Sequence, residues 1–89
     1  MIIAQVIGHV WATKKERTLT GVKLMVVKAE ESGEAFVAGD VVGAGVGEQV
    51  LVCQGSTARR ALGGDSVAVD AAIVGIIDTL EVERAKAKH

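Results

Sequence analysis

The chain has 89 residues and a formal net charge of −1, a balance that excludes strong bulk attraction to nucleic acid or to acidic lipid. Its single cysteine, Cys53, excludes an internal disulfide and is typical of a protein in a reducing compartment. Hydrophobic residues make up 49% of the sequence, and a domain this small buries only about 60–65% of its unfolded surface. Part of the aliphatic surface is therefore expected to face a partner, which favours an oligomer.

Hydrophobic alternation predicts five strands. Residues 1–13 alternate with period two, which indicates a long first strand with even-numbered side chains in the core and odd-numbered ones partly at an interface. Four further apolar stretches have the length and composition of strands, and the second of these is broken at Gly39-Asp40. They cover residues 22–29, 35–42, 48–54 and 71–82.

One short helix is predicted between the fourth and fifth strands, over residues 55–62. Ser56 is suited to cap its start, and Gly63-Gly64 to end it. Five strands with a helix before the last favour a mainly β fold, a small closed or half-closed barrel related in shape to the OB-fold. We expect a single domain over residues 1–82 and a charged tail over residues 83–89. Because we find no secretory leader and no apolar run of about 20 residues, we expect no membrane association.

Three glycines at alternate positions, Gly43, Gly45 and Gly47, mark the connection between the third and fourth strands. Glycine is needed where φ is positive or where another backbone comes close, so this loop is expected to approach something closely. A bound phosphate is disfavoured because Glu48 replaces a glycine of the dinucleotide fingerprint and no Gly-Lys pair exists for a P-loop. Two alternatives remain, a tight turn between strands and close packing against a neighbouring copy of the chain.

The sequence contains no strong pattern for catalysis or metal binding. Ser56 lacks the Gly-x-Ser-x-Gly context of a nucleophile, and a set of Ser56, His9 and Asp70 is a grouping that most proteins contain by chance. Cys53 lies in an apolar strand, where a small buried side chain is expected. Cys53 and His9 alone do not make a dedicated metal site, so no metal or cofactor is expected.

The aspartates leave one further alternative open. We expect Asp40, Asp70 and Asp78 to accept turn or backbone hydrogen bonds rather than to form a paired-carboxylate site. Asp78, within the predicted last strand, should pair with a cation or a backbone N–H of the same or a neighbouring subunit. A small oligomeric β-barrel binding protein or enzyme that uses Asp70, Asp78 or Cys53 would need a concave polar pocket, which only a structure reveals.

Nucleic-acid binding is another alternative, since OB-like barrels often bind single strands. Such binding needs stacking aromatics and a basic groove. The chain offers only Trp11 and Phe36, no tyrosine, and two small basic clusters at residues 14–17 and 59–60. This function is therefore disfavoured.

A specific set of motifs occurs in order along the chain. It includes the loop Gly-Ala-Gly-Val-Gly-Glu, the turn Gly-Ser-Thr-Ala-Arg and the strand Val-Asp-Ala-Ala-Ile-Val-Gly-Ile-Ile-Asp. The matching segments are residues 12–14, 19–24, 40–51, 55–59 and 69–78. Together they resemble the EutN/CcmL family, the vertex proteins of bacterial microcompartments, over nearly the whole chain. One departure is Ala68, where the family usually has proline, and this loosens the entry to the last strand by up to about 1 kcal/mol.

The resemblance implies a cyclic homopentamer of OB-like barrels that caps the vertices of a cytoplasmic polyhedral shell otherwise tiled by hexameric proteins. Fivefold tiles among sixfold ones supply the curvature that closes such a shell, so a structural role without catalysis is implied. In this arrangement we expect three sets of contact residues. The loop near the fivefold axis or its pore comprises Gly43, Ala44, Gly45, Val46, Gly47 and Glu48. The subunit interface includes Ser56, Arg59 and Asp78, and contacts with neighbouring shell tiles include Lys14, Lys15 and Arg17.

Overall fold

The computed structural model describes residues 1–81, which form five β-strands and one short helix. The helix α1, Ser56–Ala61, lies between the fourth and fifth strands, and a single 3-10 turn, Arg17–Leu19, lies between the first and second. The predicted charged tail, residues 83–89, lies outside the described residues. The strands are β1 Ile2–His9, β2 Lys23–Ala29, β3 Ala35–Asp40, β4 Gln49–Gln54 and β5 Ala71–Ile76.

The sheet closes on itself in the order β1-β2-β3-β5-β4, with β4 hydrogen-bonded back to β1. Neighbouring strands are antiparallel except β3 and β5, which run parallel through a short contact where Gly39 pairs with Ala72 and Asp40 with Ile73. Closure removes the sheet edges that would otherwise expose unpaired backbone groups. The predicted mainly β, five-stranded barrel with one short helix is therefore confirmed.

Aliphatic side chains fill the barrel. Because successive residues of a strand point to opposite faces, Val52 faces the interior while Cys53, next to it, faces outward beneath α1. There Cys53 joins Ala58 of α1 and Ala72 of β5 in a second buried cluster that attaches the helix to the barrel. Cys53 is buried, as predicted. The largest fully buried side chains are Met25, Ile73, Val6, Val27, Val50 and Val52.

The first strand is shorter than predicted and changes face. It ends at His9 rather than at residue 13, and its register with β2 shifts between Val6 and Gly8. Val6 faces the core, as the alternation predicts, but beyond this bulge His9 lies opposite the buried Met25. Opposite residues of an antiparallel pair share a face, so the even-numbered positions after Val6 no longer point into the core.

Three other local predictions were wrong. β3 runs through Gly39 and Asp40 without a break and stops there, and β5 stops at Ile76 rather than at residue 82. Hydrophobic runs extend beyond the points where these strands lose their partners, and backbone pairing decides where a strand ends. Gly55, with φ of 74° and no side-chain hydrogen bond, is the helix cap, so Ser56 is the first helical residue rather than the cap.

The two ends of the barrel differ. At one end β1, β3 and β5 finish, β2 and β4 begin, and residues 41–48 cross from β3 to β4; we name this the capped end. The opposite end is open and contains a shallow cavity of about 630 Å³ whose lining includes Ile2, Phe36 and Glu31. Within residues 1–81 no helix has the length and apolar character needed to span a bilayer, since α1 has six residues.

Candidate functional site

The loop of residues 41–48 closes the capped end. Its central residue, Ala44, is fully buried and belongs to the main core cluster, so the loop inserts a methyl group into the end of the barrel. With Ala44 inside, the flanking residues Val41, Val42 and Val46 face solvent. The loop therefore completes the core and presents an apolar surface at the same time.

The carboxylate of Asp40, the last residue of β3, organises the first half of this loop. Its Oδ1 accepts hydrogen bonds from the backbone N–H groups of Val42 at 3.0 Å and Gly43 at 3.1 Å. Its Oδ2 accepts a third from the N–H of Ala44 at 2.7 Å. Short polar side chains commonly hold a turn in this way, and the prediction that Asp40 accepts backbone hydrogen bonds is confirmed.

Lys23, at the start of β2, compensates the buried charge of Asp40. Its Nζ lies 3.2 Å from Asp40 Oδ2 and donates a hydrogen bond to the carbonyl of Ala44 at 3.0 Å. The Asp40 side chain is fully buried, whereas 41% of the Lys23 side chain is exposed. A buried charge is tolerated only when it is paired and hydrogen-bonded, so Lys23 and Asp40 act together. The sequence analysis missed Lys23 because its pairing opposite Asp40 appears only in the register of β2 and β3.

The second half of the loop is held by Glu48 and by β1. Glu48 Oε1 accepts a hydrogen bond from the N–H of Gly45 at 2.7 Å. The N–H of Gly47 donates to the carbonyl of Val6 at 2.8 Å, and the N–H of Val6 donates to the carbonyl of Glu48 at 3.0 Å. Gln5 adds a side-chain hydrogen bond to the carbonyl of Gly47 at 3.2 Å. Both halves of the loop are thus fixed to the barrel.

These contacts exclude the phosphate-loop alternative on physical grounds. Phosphate loops bind their ligand through free backbone N–H groups. Here the N–H groups of residues 42–45 already donate to the carboxylates of Asp40 and Glu48. An anion would have to displace two negative side chains to reach them.

The three glycines of the loop have different roles. Gly43 and Gly47 have φ values of 79° and 95°, the left-handed region that strains other residues, and a Cβ on either would meet no atom within 4 Å. Gly45 has no such φ, and a Cβ there would meet only Glu48 Oε1, at 3.6 Å. The expected close approach to another backbone is therefore absent within residues 1–81 of one chain. Gly45 is the glycine that the conformation of the single chain does not require.

Apolar side chains concentrate at the capped end. Six of the nine exposed large hydrophobic residues in the described part of the chain belong to segments that meet there. Exposed apolar side chains grouped at one end of a small domain mark a candidate interaction surface. The six residues are Ile7, Trp11, Val41, Val42, Val46 and Ile76.

The structure separates the residues of the hypothetical catalytic sets. Ser56 lies beside Asp70, since the N–H of Gly55 donates to the Asp70 carbonyl at 2.8 Å, whereas His9 ends β1 and its ring stacks on Trp11. The cavity at the open end is lined by none of Asp70, Asp78 or Cys53. In residues 1–81 no three His, Cys, Asp or Glu side chains come together in a group that holds a metal ion.

The residues predicted at a subunit interface lie on two segments of the chain. Ser56 is exposed and Arg59 half-buried on α1, beside the start of β5. Asp78 follows the end of β5 and is exposed, so the expectation that it lies within a strand was wrong.

Lys14, Lys15 and Arg17 are exposed on the connection between β1 and β2. The Thr18 side-chain hydroxyl donates to the Glu16 carboxylate, and this bond, with the Thr18 N–H at 3.1 Å, lowers the pKa of Glu16. Thr18 Oγ1 also accepts a hydrogen bond from the N–H of Ala68 at 3.1 Å. Proline at position 68 would have no N–H to donate, so this hydrogen bond requires a residue such as Ala68.

The chain belongs to the EutN/CcmL family, as its motifs predict. The family described as "Ethanolamine utilisation protein EutN/carboxysome" matches residues 1–78, which include all five strands and the loop of the capped end. The proposed domain boundary at residue 82 lies beyond this match and stays a prediction.

Relatives of known role are similar over almost their full length. The carboxysome shell vertex protein CcmL of Synechocystis sp. is 48% identical over 87 residues, with 92% of this chain and 87% of that protein covered. The bacterial microcompartment shell vertex protein GrpN of Rhodospirillum rubrum is 46% identical over 86 residues, with 91% and 97% covered. The solved structure of GrpN from Rhodospirillum rubrum, described as a pentameric microcompartment shell protein, superposes with a TM-score of 0.82 at 42% identity and covers 94% of this chain and 100% of its own.

The pairing of Asp40 with Lys23 predicts a specific loss of stability. Asp40→Asn should lower the free energy of unfolding by about 1–3 kcal/mol, because the amide accepts through only one oxygen and leaves Lys23 without its ion-pair partner. Asp65→Asn is the matched control, since Asp65 faces only a loose surface contact with Arg60 at 3.8 Å and should change stability by less than about 0.5 kcal/mol. Urea unfolding of both variants at one protein concentration tests this, and equal midpoints would contradict the role of Asp40.

Proposed function

We propose that this chain is a structural shell protein that assembles as a cyclic homopentamer and caps the vertices of a bacterial microcompartment. The observation that carries the proposal is its 46–48% identity, over nine-tenths of its length, to two shell vertex proteins, one of which has a pentameric solved structure. The fivefold tile supplies the curvature that a sheet of sixfold tiles lacks. The role needs shape and contacts rather than catalysis.

The distribution of apolar surface supports a ring. A cyclic assembly joins subunits head to tail, so each subunit must present two different surfaces that fit each other. The capped end exposes valines on its loop and further hydrophobic residues on β1 and β5. We propose that residues 43–48 lie near the fivefold axis, where symmetry mates crowd the Gly45 backbone that no atom of its own chain crowds.

Two further sets of contacts complete the proposal. Ser56 and Arg59 on one side of the subunit, and Asp78 on the other, lie in the contact between adjacent copies, where Asp78 finds the cation that its own described chain does not provide. Lys14, Lys15 and Arg17 contact neighbouring hexameric shell tiles. The assembly lies in the cytoplasm, within the microcompartment shell, and functions without cofactor, nucleic acid or membrane.

The native mass of the purified protein tests the ring directly. Five copies of the 9.2 kDa chain give about 46 kDa, and native mass spectrometry or light scattering should find this species. A 9.2 kDa monomer at all concentrations would refute the assembly. Six copies would keep the ring but remove the fivefold geometry that a vertex requires.

Gly45→Val tests the position of the loop near the axis. The variant should raise the dissociation constant of the ring by about tenfold or more, equivalent to about 1.4 kcal/mol. The diluted monomer should unfold as the wild type does, because Gly45 lacks a left-handed φ and a Cβ there makes only an ordinary contact with Glu48 Oε1 at 3.6 Å. Gly43→Val is the contrasting control. Its φ of 79° should cost the isolated fold about 1–3 kcal/mol. An intact ring from Gly45→Val would remove this loop from the axis.

The proposed contact of Lys14, Lys15 and Arg17 with shell tiles is tested by whether shells close. When the chain is co-expressed with hexameric shell proteins, the wild type should give closed particles. The double variant Lys14→Glu/Lys15→Glu should keep its native mass yet leave shells open, because only contacts outside the ring change sign. Lys28→Glu, an exposed lysine on β2, should close shells normally. Electron microscopy distinguishes the outcomes, and closed particles from the double variant would show that this loop is not a shell contact.

A further inference from the structure

The most exposed large hydrophobic residue of the described chain is its only tryptophan. Trp11 is 85% exposed and stacks on His9, with ring centroids 5.1 Å apart and ring planes inclined by 13°. His9 is the last residue of β1, and the N–H of Val10 donates to the carbonyl of Leu24 at 3.0 Å, so the pair projects from a fixed backbone at the capped end. Nothing in the fold of residues 1–81 requires an indole at this position.

The stack prepares the indole for a contact. The offset stack gives the indole a neighbouring ring on one side, which narrows its rotamers and lowers the conformational entropy lost on binding. Tryptophan is also the residue most enriched among those that dominate interface energies. The stacked His9–Trp11 pair is therefore suited to anchor a contact with another protein surface.

The valines of the loop offer the complementary surface. Val41, Val42 and Val46 are exposed at the same end of the barrel, on the connection from β3 to β4, whereas His9 and Trp11 extend from β1. One surface is a flat aromatic pair and the other a group of branched aliphatic side chains. A head-to-tail ring needs two unlike surfaces of this kind on every subunit.

The area that a ring must bury favours a second copy as the occupant. A stable interface covers roughly 800 Å² on each partner, and a ring subunit has two such contacts, so it buries roughly 1,600 Å². That is more than a quarter of the 5690 Å² accessible surface of the chain. Contacts of this extent must include exposed apolar side chains, and the capped end carries most of those in residues 1–81.

We propose that the indole of Trp11, held by His9, packs against Val41, Val42 and Val46 of the adjacent copy in the ring. The inference rests on the proposed pentamer and adds the residues that join its subunits. In this contact, the segment at the end of β1 on one copy faces the loop between β3 and β4 on the next copy. Two outcomes compete with this contact: Trp11 packs against a neighbouring shell tile, or it stays exposed to solvent in the ring.

The single tryptophan reports on this contact in the unmodified protein. Emission spectra and acrylamide quenching are recorded on the wild type where its native mass is that of the ring, and on Val46→Asp, which keeps Trp11 but introduces a charge into the contact. The ring should show emission at shorter wavelength and a quenching constant several-fold lower than the monomeric variant. Native mass is measured on the same samples.

Paired substitutions test which surfaces meet. Trp11→Ala and Val46→Ala should each raise the dissociation constant of the ring, Trp11→Ala by about 30-fold or more, the effect of a dominant interface residue. The double variant should be less impaired than the two single effects combined, because both remove the same contact. Val37→Ala is the control, since Val37 is exposed on the barrel wall of β3 rather than at the capped end, and it should leave the dissociation constant unchanged.

The outcomes separate this inference from the proposed function. A ring of about 46 kDa in which Trp11 is quenched as readily as in the monomer would overturn the inference and leave the pentamer standing. Protection of Trp11 that appears only after hexameric shell proteins are added would also overturn it. A wild-type protein of 9.2 kDa at every concentration would refute the ring itself and this contact with it.

Discussion

The buried carboxylate of Asp40 is the interaction on which the capped end depends. It accepts three backbone N–H groups and faces the Lys23 ammonium, so one side chain fixes the exit of β3, the start of the loop and the start of β2. A buried charge in a small barrel is costly unless every acceptor is used. Here the requirement is met, and the conformation of the loop follows from it.

This closure determines what the surface of the molecule can do. Because Ala44 must enter the core, the residues around it turn outward, and three of them are valines. The loop's N–H groups bind carboxylates of the same chain, so the loop is unsuited to an anionic ligand. What remains is an apolar, hydrogen-bonded and well-ordered surface, whose natural use is contact with another protein.

The three glycines of the loop at residues 41–48 have two different physical explanations. Gly43 and Gly47 are explained by the backbone of a single chain, since both have positive φ. Gly45 is not, since a Cβ there would meet only Glu48 Oε1 of its own chain, and the proposed contact with a symmetry mate would account for it. Ala68 donates its backbone N–H to Thr18, a hydrogen bond that proline at this position could not make.

The sequence by itself determined the five strands, the short helix, the buried Cys53 and the family, because period-two hydrophobicity and ordered motifs are local signals. Only the tertiary structure decided the bulge after Val6, the ends of β1, β3 and β5, and the pairing of Lys23 with Asp40. These features depend on which strands lie side by side and in which register, and the pairing of residues distant in the chain leaves no trace in local periodicity. The subunit contacts are a further step of the same kind, since they depend on a second chain.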